Sequence, residues 1–255
     1  MCGLAGFIGF KNNIQLAEKA NKCQQHRGPD NQSIWSDDYI ALAHQRLSII
    51  DLSNAANQPF HKGDFVIIFN GEIYNYKELQ LKLQKEKQVK FITSSDTEVI
   101  LEMYNHYRDN CLNYLMGMFA FAIYNKIDSE LFIARDHFGI KPLFFTQIDK
   151  SLAFSSELKT LVSVPGFKKS INQKSLVSCL NYGWVSGNET IFNGCHKLPP
   201  AHYLTYSPSS EINLVQYWEL EDNEGKNIDL NEKNTTEAVT NSTESSVNRH
   251  MVADV

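Results

Sequence analysis

The sequence contains no apolar run near the roughly 20 residues that a membrane-spanning helix needs. Its first residues also lack the basic start and longer apolar core of a secretory signal. Basic residues are not in excess, since 24 Lys and Arg face 29 Asp and Glu, for a net charge of −5. These absences argue against a nucleic acid or an anionic membrane as the main partner. We therefore expect a cytoplasmic protein with no membrane contact.

Cysteine is also scarce. The five cysteines are odd in number, widely spaced and never form a Cys-x-x-Cys pair. Such a set favours reduced thiols over a disulfide framework or a zinc site. The sequence therefore predicts no metal centre.

Hydrophobic patterning predicts both strands and helices. Short apolar runs rich in glycine or β-branched residues predict strands within residues 2–10, 33–51 and 65–69. Apolar positions at helical spacing predict helices over residues 14–25, 76–87 and 97–107. Four further β-rich runs, separated by turn residues, lie between residues 118 and 157 and are typical of an antiparallel meander. This order indicates an α+β fold in which helices cover antiparallel sheets.

The cysteine at position 2 has two interpretations. Cysteine is small enough for Met1 to be removed during synthesis, which leaves a free thiol and a free α-amine on one residue. Because an α-amine titrates near ~7.7–8.0, it can serve as the general base for the thiol. The alternative is that Cys2 is a small buried hydrophobe at the start of a strand.

Three other sites also have a structural and a chemical interpretation. Asn70-Gly71 lies between two apolar runs and predicts a tight hairpin turn, which could aim the Asn70 amide and the Gly71 N–H at one point as an oxyanion hole. Arg46 lies in a run suited to burial, where arginine is rare unless paired, so we expect an ion pair or a fork for a ligand carboxylate. Ser95 or Asp96 is predicted to cap a helix, and a capping carboxylate can also face a ligand ammonium.

These positions belong to short motifs that follow one another over roughly the first 160 residues. The motifs are CG (2–3), RGPD (27–30), HQRLSIID (44–51), FNGEIYN (69–75), SDTE (95–98), GMFAF (117–121), ARDxxGxKPL (134–143) and FSSELKTL (154–161). The set closely resembles the class II glutamine amidotransferase domain, an N-terminal-nucleophile hydrolase. It is most similar to that domain in glutamine-hydrolysing asparagine synthetases.

Downstream segments carry the same resemblance. GCHKLPPAHYL (194–204) and QYWEL (216–220) resemble the hinge into a synthetase domain, and SVNRHMVADV (246–255) resembles the helix before its ATP-binding loop. The resemblance implies an amidotransferase domain over residues 2–208, then a linker and the first helix of a truncated synthetase domain over residues 209–255. It implies no cofactor for glutamine hydrolysis, with ATP and Mg²⁺ expected only for the missing synthetase half.

The resemblance also implies a four-layer αββα sandwich and a set of site residues. Cys2 would attack the side-chain amide of glutamine, form a γ-glutamyl thioester and release ammonia. Asn70 and Gly71 would hold the oxyanion, Arg46 would pair with the α-carboxylate and Asp96 with the α-ammonium of glutamine. The glutamine pocket would be completed by Leu47, Ser48, Ile49, Ile50 and Glu72. Mainly structural roles are expected for Arg27, Asp30 and Asp136.

Two alternatives stay open. The chain could be the amidotransferase half of a related enzyme that passes ammonia to another acceptor, such as a sugar or a modified amino acid. It could also be a non-catalytic module that binds glutamine, although intact Cys2, Asn70, Gly71 and Asp96 argue against this. The implied partners are glutamine and a synthetase domain in the full-length chain, and a homodimer is left open.

Overall fold

The computed structural model describes residues 1–208, 211–220 and 232–254. The strands are β1 (Gly3–Ile8), β2 (Asn31–Ser36), β3 (Ile40–Arg46), β4 (Phe60–Lys62), β5 (Phe65–Ile73), β6 (Gly117–Asn125), β7 (Glu130–Arg135), β8 (Phe144–Ile148), β9 (Ser151–Ser155), β10 (His196–Lys197), β11 (His202–Tyr206) and β12 (Asn213–Gln216). The helices are α1 (Asn13–Gln24), α2 (Tyr76–Lys87), α3 (Asp96–Tyr107), α4 (Leu158–Leu161), α5 (Gln173–Tyr182) and α6 (Glu232–His250).

The strands form two antiparallel sheets of six strands each. The first sheet has the order β10-β8-β9-β1-β3-β2, and the second has the order β12-β11-β7-β6-β5-β4. One apolar cluster, which includes Leu4, Leu42 and Ile68, lies between the two sheets. Two further clusters join the first sheet to α1 and the second sheet to α2 and α3. The predicted four-layer αββα sandwich is therefore confirmed.

The strand β5 shows how sequence produces these layers. Side chains alternate along a strand, so Val66 and Ile68 enter the layer between the sheets, while Ile67 and Phe69 face the helices. A strand buried on both faces needs apolar residues at successive positions. This requirement explains the continuous run FVIIF.

The predicted helices are confirmed, with α2 at the expected bounds and α3 beginning one residue early, at Asp96. Two predictions about the strands need correction. Residues 47–51 form no strand, although their apolar character suggested one. The expected meander is divided, because β6 and β7 join the second sheet whereas β8 and β9 join the first. Local patterns gave no information on which sheet a strand would join.

The second sheet continues beyond Pro208, because β12 (Asn213–Gln216) pairs with β11. The expected late helix is present as α6, whereas most of the predicted linker, residues 221–231, lies outside the described residues. The division of the chain into 2–208 and 209–255 stays a prediction. Within the described ranges, no helix combines the length and apolar character required to cross a bilayer.

Candidate active site

A cavity of about 220 Å³ lies where the beginning of β1 meets β5 and the beginning of α3. Its walls come from six segments of the chain: residues 1–2, the end of β3 with the loop after it, residues 69–72 of β5, residues 95–97, Met118 of β6 and Lys141 between β7 and β8. The structure thus brings nine of the ten predicted site residues to one cavity. These nine are Cys2, Arg46, Leu47, Ile49, Ile50, Asn70, Gly71, Glu72 and Asp96.

The thiol of Cys2 lies in this cavity because β1 begins at the next residue. Its sulfur accepts a hydrogen bond from the Leu47 N–H at 3.3 Å and donates to the Leu47 carbonyl at 3.5 Å. Burial raises the pKa of the Cys2 thiol above its ordinary value, although the Leu47 contact, the α-amine and Arg46 oppose the rise. The thiol is therefore protonated at neutral pH and requires a base before it can act as a nucleophile.

Met1 is present in the structure and lines the same cavity, so the α-amine belongs to Met1 here. Burial lowers the pKa of this α-amine, and the nearby positive charges of Arg27 and Lys141 lower it further. A lowered pKa increases the neutral fraction of an amine at neutral pH. The environment of the N-terminus beside Cys2 is accordingly suited to an α-amine that accepts a proton.

Asn70 supplies an unused hydrogen-bond donor. Because side chains alternate along β5, Asn70 faces the first sheet, as Val66 and Ile68 do. The side chain is 1 % exposed, and among the described residues its Nδ2 has no hydrogen-bond partner. A buried donor without a partner is costly, so the geometry favours an acceptor that arrives with a ligand.

The Gly71 N–H points to the same cavity. Backbone N–H groups at alternate positions of a strand point to the same side. Phe69 donates to Gln58 Oε1 at 2.6 Å and Ile73 donates to Asp96 Oδ2 at 3.1 Å, both away from β6. Gly71 lies midway between these residues, so its N–H is directed away from β6 as well.

The predicted hairpin turn at Asn70-Gly71 is wrong. Both residues lie inside β5 and pair with Ala120 and Phe119 of β6. A Cβ added at Gly71 would lie 2.2 Å from the Met118 carbonyl oxygen. The glycine is therefore required by the close approach of two strands, a tertiary contact that the local Asn-Gly pattern does not report.

Arg46 is 4 % exposed and directs its guanidinium to backbone and amide oxygens. Nη1 donates to the Ser53 carbonyl at 2.9 Å and to Asn57 Oδ1 at 2.7 Å, and Nη2 donates to the Asp51 carbonyl. No carboxylate of the described residues forms an ion pair with it, so the ion-pair interpretation is wrong. Its charge remains available to an anion in the cavity.

Asp96 carries the opposite charge at the N-terminus of α3. Ser95 caps this helix by accepting from the Thr97 N–H at 3.2 Å, while Asp96 accepts from the Ile73 N–H. Burial, together with the nearby Glu72 carboxylate, raises the pKa of Asp96 to about 7. A ligand ammonium beside Asp96 would favour the ionised form.

Ser48 is the one predicted site residue that does not line the cavity, because its N–H donates to Asp30 Oδ2 at 2.7 Å. Conversely, the cavity includes residues that were not predicted as site residues, among them Gln58, Met118 and Lys141. Lys141 belongs to the ARDxxGxKPL motif, which was the only available signal. Gln58 reaches the site through tertiary contacts with Phe69 and Thr97, and no sequence pattern reports such contacts.

The cavity combines a thiol, a position for a neutral amine, two unused N–H donors, one buried carboxylate and two cations, Arg46 and Lys141, that have no ion pair among the described residues. A thiol with a nearby base and paired donors can attack an amide carbonyl and hold the resulting oxyanion. A cation and a carboxylate together match the head group of a free amino acid. No group of three or more His, Cys, Asp or Glu that could hold a metal ion occurs in the part of the chain that the structure describes.

Comparison with known proteins points to the same chemistry. A sequence profile of the family described as "Glutamine amidotransferase domain" matches residues 1–218. The chain is 33 % identical over 264 residues to asparagine synthetase [glutamine-hydrolyzing] 3 of Bacillus subtilis (strain 168), with all of this chain and 42 % of that protein covered. It is 37 % identical over 263 residues to asparagine synthetase 1 of the same organism, with 99 % of this chain and 41 % of that protein covered. The chain thus spans about two fifths of the length of these relatives.

Among solved structures, the chain is similar to the glutamine phosphoribosylpyrophosphate amidotransferase of B. subtilis. The TM-score is 0.62 at 18 % identity, over 86 % of this chain and 50 % of the other. An enzyme described as the allosteric regulatory enzyme of purine biosynthesis gives a TM-score of 0.61 at 17 % identity, again over 86 % of this chain and 50 % of the other. At such identities, these similarities show a shared fold.

Proposed function

Because this chain belongs to the family of glutamine amidotransferase domains, we propose that it hydrolyses the side-chain amide of glutamine to glutamate and ammonia. The observation that supports this proposal most strongly is the placement of the Cys2 thiol in one cavity with the unused donors of Asn70 and Gly71. A nucleophile with paired donors is the minimum that acyl transfer from an amide requires.

The reaction begins after Met1 is removed, which makes the α-amine part of Cys2. As the sulfur attacks the amide carbon of glutamine, the thiol proton passes to this α-amine. The oxygen of the tetrahedral intermediate is held by Asn70 Nδ2 and the Gly71 N–H. The α-amine then returns the proton to the leaving nitrogen, ammonia departs, and water hydrolyses the γ-glutamyl thioester to glutamate and free thiol.

The head group of glutamine is held by opposite charges. Arg46 pairs with the α-carboxylate and Asp96 with the α-ammonium, and both side chains are buried and lack an ion pair among the described residues. Leu47, Ile49, Ile50 and Glu72 form the remaining wall. Ser48 is not part of this wall, because its N–H donates to Asp30 Oδ2.

We propose that the ammonia serves asparagine formation from aspartate in a longer cytoplasmic protein. The two B. subtilis relatives bear the name of that activity, and this chain spans only about two fifths of their length. ATP and Mg²⁺ would then be needed by the synthetase part and not by the cavity around Cys2. Residues 209–255 would be the linker and first helix of that part, and another ammonia acceptor remains the alternative.

The test is a glutaminase assay on two preparations with different N-termini. Protein that lacks Met1, as shown by intact-mass analysis, is expected to form glutamate and ammonia from glutamine. Protein with a blocked or extended N-terminus is expected to be inactive, because Cys2 then lacks an adjacent α-amine. Full activity of the extended protein would contradict the mechanism.

The same assay separates catalysis from binding. Folded protein without Met1 that binds glutamine but forms no glutamate would instead support the non-catalytic module.

A further inference from the structure

The loop between β7 and β8 holds Lys141 against the wall of the cavity. The Asp136 carboxylate accepts the N–H of Ile140 at 2.8 Å and that of Lys141 at 3.0 Å. Arg135 Nε donates to the Lys141 carbonyl at 2.7 Å. The N–H of Lys141 is therefore held by the Asp136 side chain and its carbonyl by the Arg135 side chain. These hydrogen bonds determine the position of the Lys141 Cα.

Lys141 is largely buried, and its ammonium has no partner among the described residues. The residue is 6 % exposed and lines the cavity that contains Cys2. Among the described residues, its Nζ forms no hydrogen bond and no ion pair, in contrast to Lys62, which forms ion pairs with Glu98 and Glu102 at 2.7 Å each. A charge that is partly removed from water is costly unless it is paired, so the position of Lys141 requires an explanation in the chemistry of the cavity.

We propose that Lys141 is a positioning residue for Cys2. The Lys141 ammonium stabilises negative charge on the Cys2 sulfur and keeps the adjacent α-amine neutral. Its catalytic consequence rests on the proposed glutamine hydrolysis. Lys141, Cys2 and Met1, which carries the α-amine in this structure, line the same cavity, and the positive charge of Lys141 lowers the pKa of that α-amine. The thiolate that forms during attack is thus an anion that can neutralise the buried lysine.

Lys141 favours the direction of proton transfer that the reaction needs. A nearby cation opposes a second positive charge on the α-amine, so more of that amine is ready to accept the thiol proton. The same cation lowers the free energy of the sulfur anion. Burial lowers the pKa of Lys141 on balance, although the carboxylates of Glu72 and Asp136, and the Cys2 sulfur once it is ionised, favour the ammonium form.

Other charged groups act on the same centre and set the background for the test. The cations are Arg27 and Arg46, and the carboxylates are Asp30, Glu72, Asp96 and Asp136. Substitution of Lys141 leaves all of these groups in place. A change in the titration of Cys2 can then be assigned to the lysine charge.

The experiment measures the pH dependence of alkylation of Cys2 by iodoacetamide in protein without Met1. Peptide mass mapping separates Cys2 from the other four cysteines. In Lys141→Met, which preserves length and removes charge, the alkylation midpoint is expected to rise by roughly one pKa unit. The kcat for glutamine is expected to fall on the order of tenfold with a smaller change in KM, and Lys141→Arg should preserve both the midpoint and the kcat.

Lys11→Met is the matched control. Lys11 is exposed and lies beyond the end of β1 opposite to Cys2, so this variant loses the same charge far from the cavity. It is expected to keep the alkylation midpoint and the kcat. Melting temperatures are measured for every variant, and removal of an unpaired buried cation should not lower them. If Lys141→Met does not fold, Lys141→Gln takes its place.

An unchanged alkylation midpoint in a folded, uncharged variant overturns the inference. A raised KM with unchanged kcat and unchanged alkylation would assign Lys141 to substrate binding and overturn it as well. If the alkylation midpoint depends on Lys141 in protein that forms no glutamate, the inference about Lys141 is supported and the proposed glutamine hydrolysis is contradicted. The proposed role of Lys141 and the proposed glutamine hydrolysis can therefore be contradicted independently of each other.

Discussion

The amide of Asn70 and the guanidinium of Arg46 are both buried at one cavity, yet they are expected to affect different kinetic constants. Asn70→Ala removes a donor that is needed most when negative charge develops on oxygen, so kcat should fall on the order of 10²–10³ with little change in KM. Arg46→Ala should mainly raise KM, because pairing with a carboxylate is similar in the ground state and the transition state. Steady-state kinetics with glutamine checks both expectations.

The control for this pair is Asn105→Ala, which removes an exposed asparagine of α3. It should leave both constants unchanged. If the kinetic profiles of the Asn70 and Arg46 variants were interchanged, the two roles would be wrongly assigned.

Asp96 gives the site a dependence on pH. Its pKa is raised to about 7 by burial, so the protonated form becomes dominant as pH falls below this value. Since only the ionised form pairs with the α-ammonium of glutamine, affinity should fall as pH decreases through about 7, by at most about tenfold per pH unit. Calorimetric titration of Cys2→Ala with glutamine measures this without turnover.

The variant Asp96→Asn serves as the control for the pH profile. It should bind glutamine more weakly at neutral pH and lose this part of the pH dependence. A wild-type affinity that stays constant from acidic to neutral pH would contradict the role of Asp96.

At the scale of elements, the segment after α6 contacts the loop that follows β3. Asp254 Oδ2 accepts from the Asp51 N–H at 2.8 Å, and the Asp254 N–H donates to the Ile49 carbonyl at 2.9 Å. The Asp51 carbonyl in turn accepts a hydrogen bond from Arg46. Val252 packs on the apolar cluster between the second sheet and helices α2 and α3. The loop that carries part of the cavity wall is thus bound from both sides.

Asp254→Ala is therefore expected to raise KM for glutamine several-fold while kcat changes little. The reason is that the loop must order itself on binding once its two-point contact with residue 254 is weakened. Glu237→Ala, at an exposed position of α6, is the control and should leave KM unchanged. An unaltered KM in the Asp254 variant would show that the contact does not contribute to binding.

At the scale of the whole molecule, the two half-reactions of the proposed longer enzyme should separate. This chain is expected to form glutamate from glutamine without ATP, Mg²⁺ or an acceptor, since the thiol chemistry needs no phosphoryl activation. It should form no asparagine from aspartate, even when ATP and ammonia are supplied. A coupled glutamate assay with and without ATP, combined with chromatography for asparagine, provides the measurement. Asparagine formed by this chain alone would contradict the proposed division of labour.

Local sequence patterns were sufficient to predict the main elements and the motif set. The runs of β1 and β5, and the apolar faces of α2 and α3, follow from local periodicity, which depends only on side-chain spacing. Cys2 was also identifiable, because its position behind Met1 places a nucleophile and a base on one residue.

The tertiary structure decided what depends on contacts between distant segments. Asn70-Gly71 lies within a strand and not in a turn because both residues pair with β6. The Met118 carbonyl of β6 leaves no space for a Cβ at residue 71, which explains the glycine. Gln58 enters the cavity through its contact with Phe69, and Ser48 stays outside it because its N–H donates to Asp30. Lys141 reaches the cavity because the loop between β7 and β8, which Asp136 holds, packs beside Cys2. Local sequence patterns report preferences over a few residues, whereas packing of two sheets selects which groups meet.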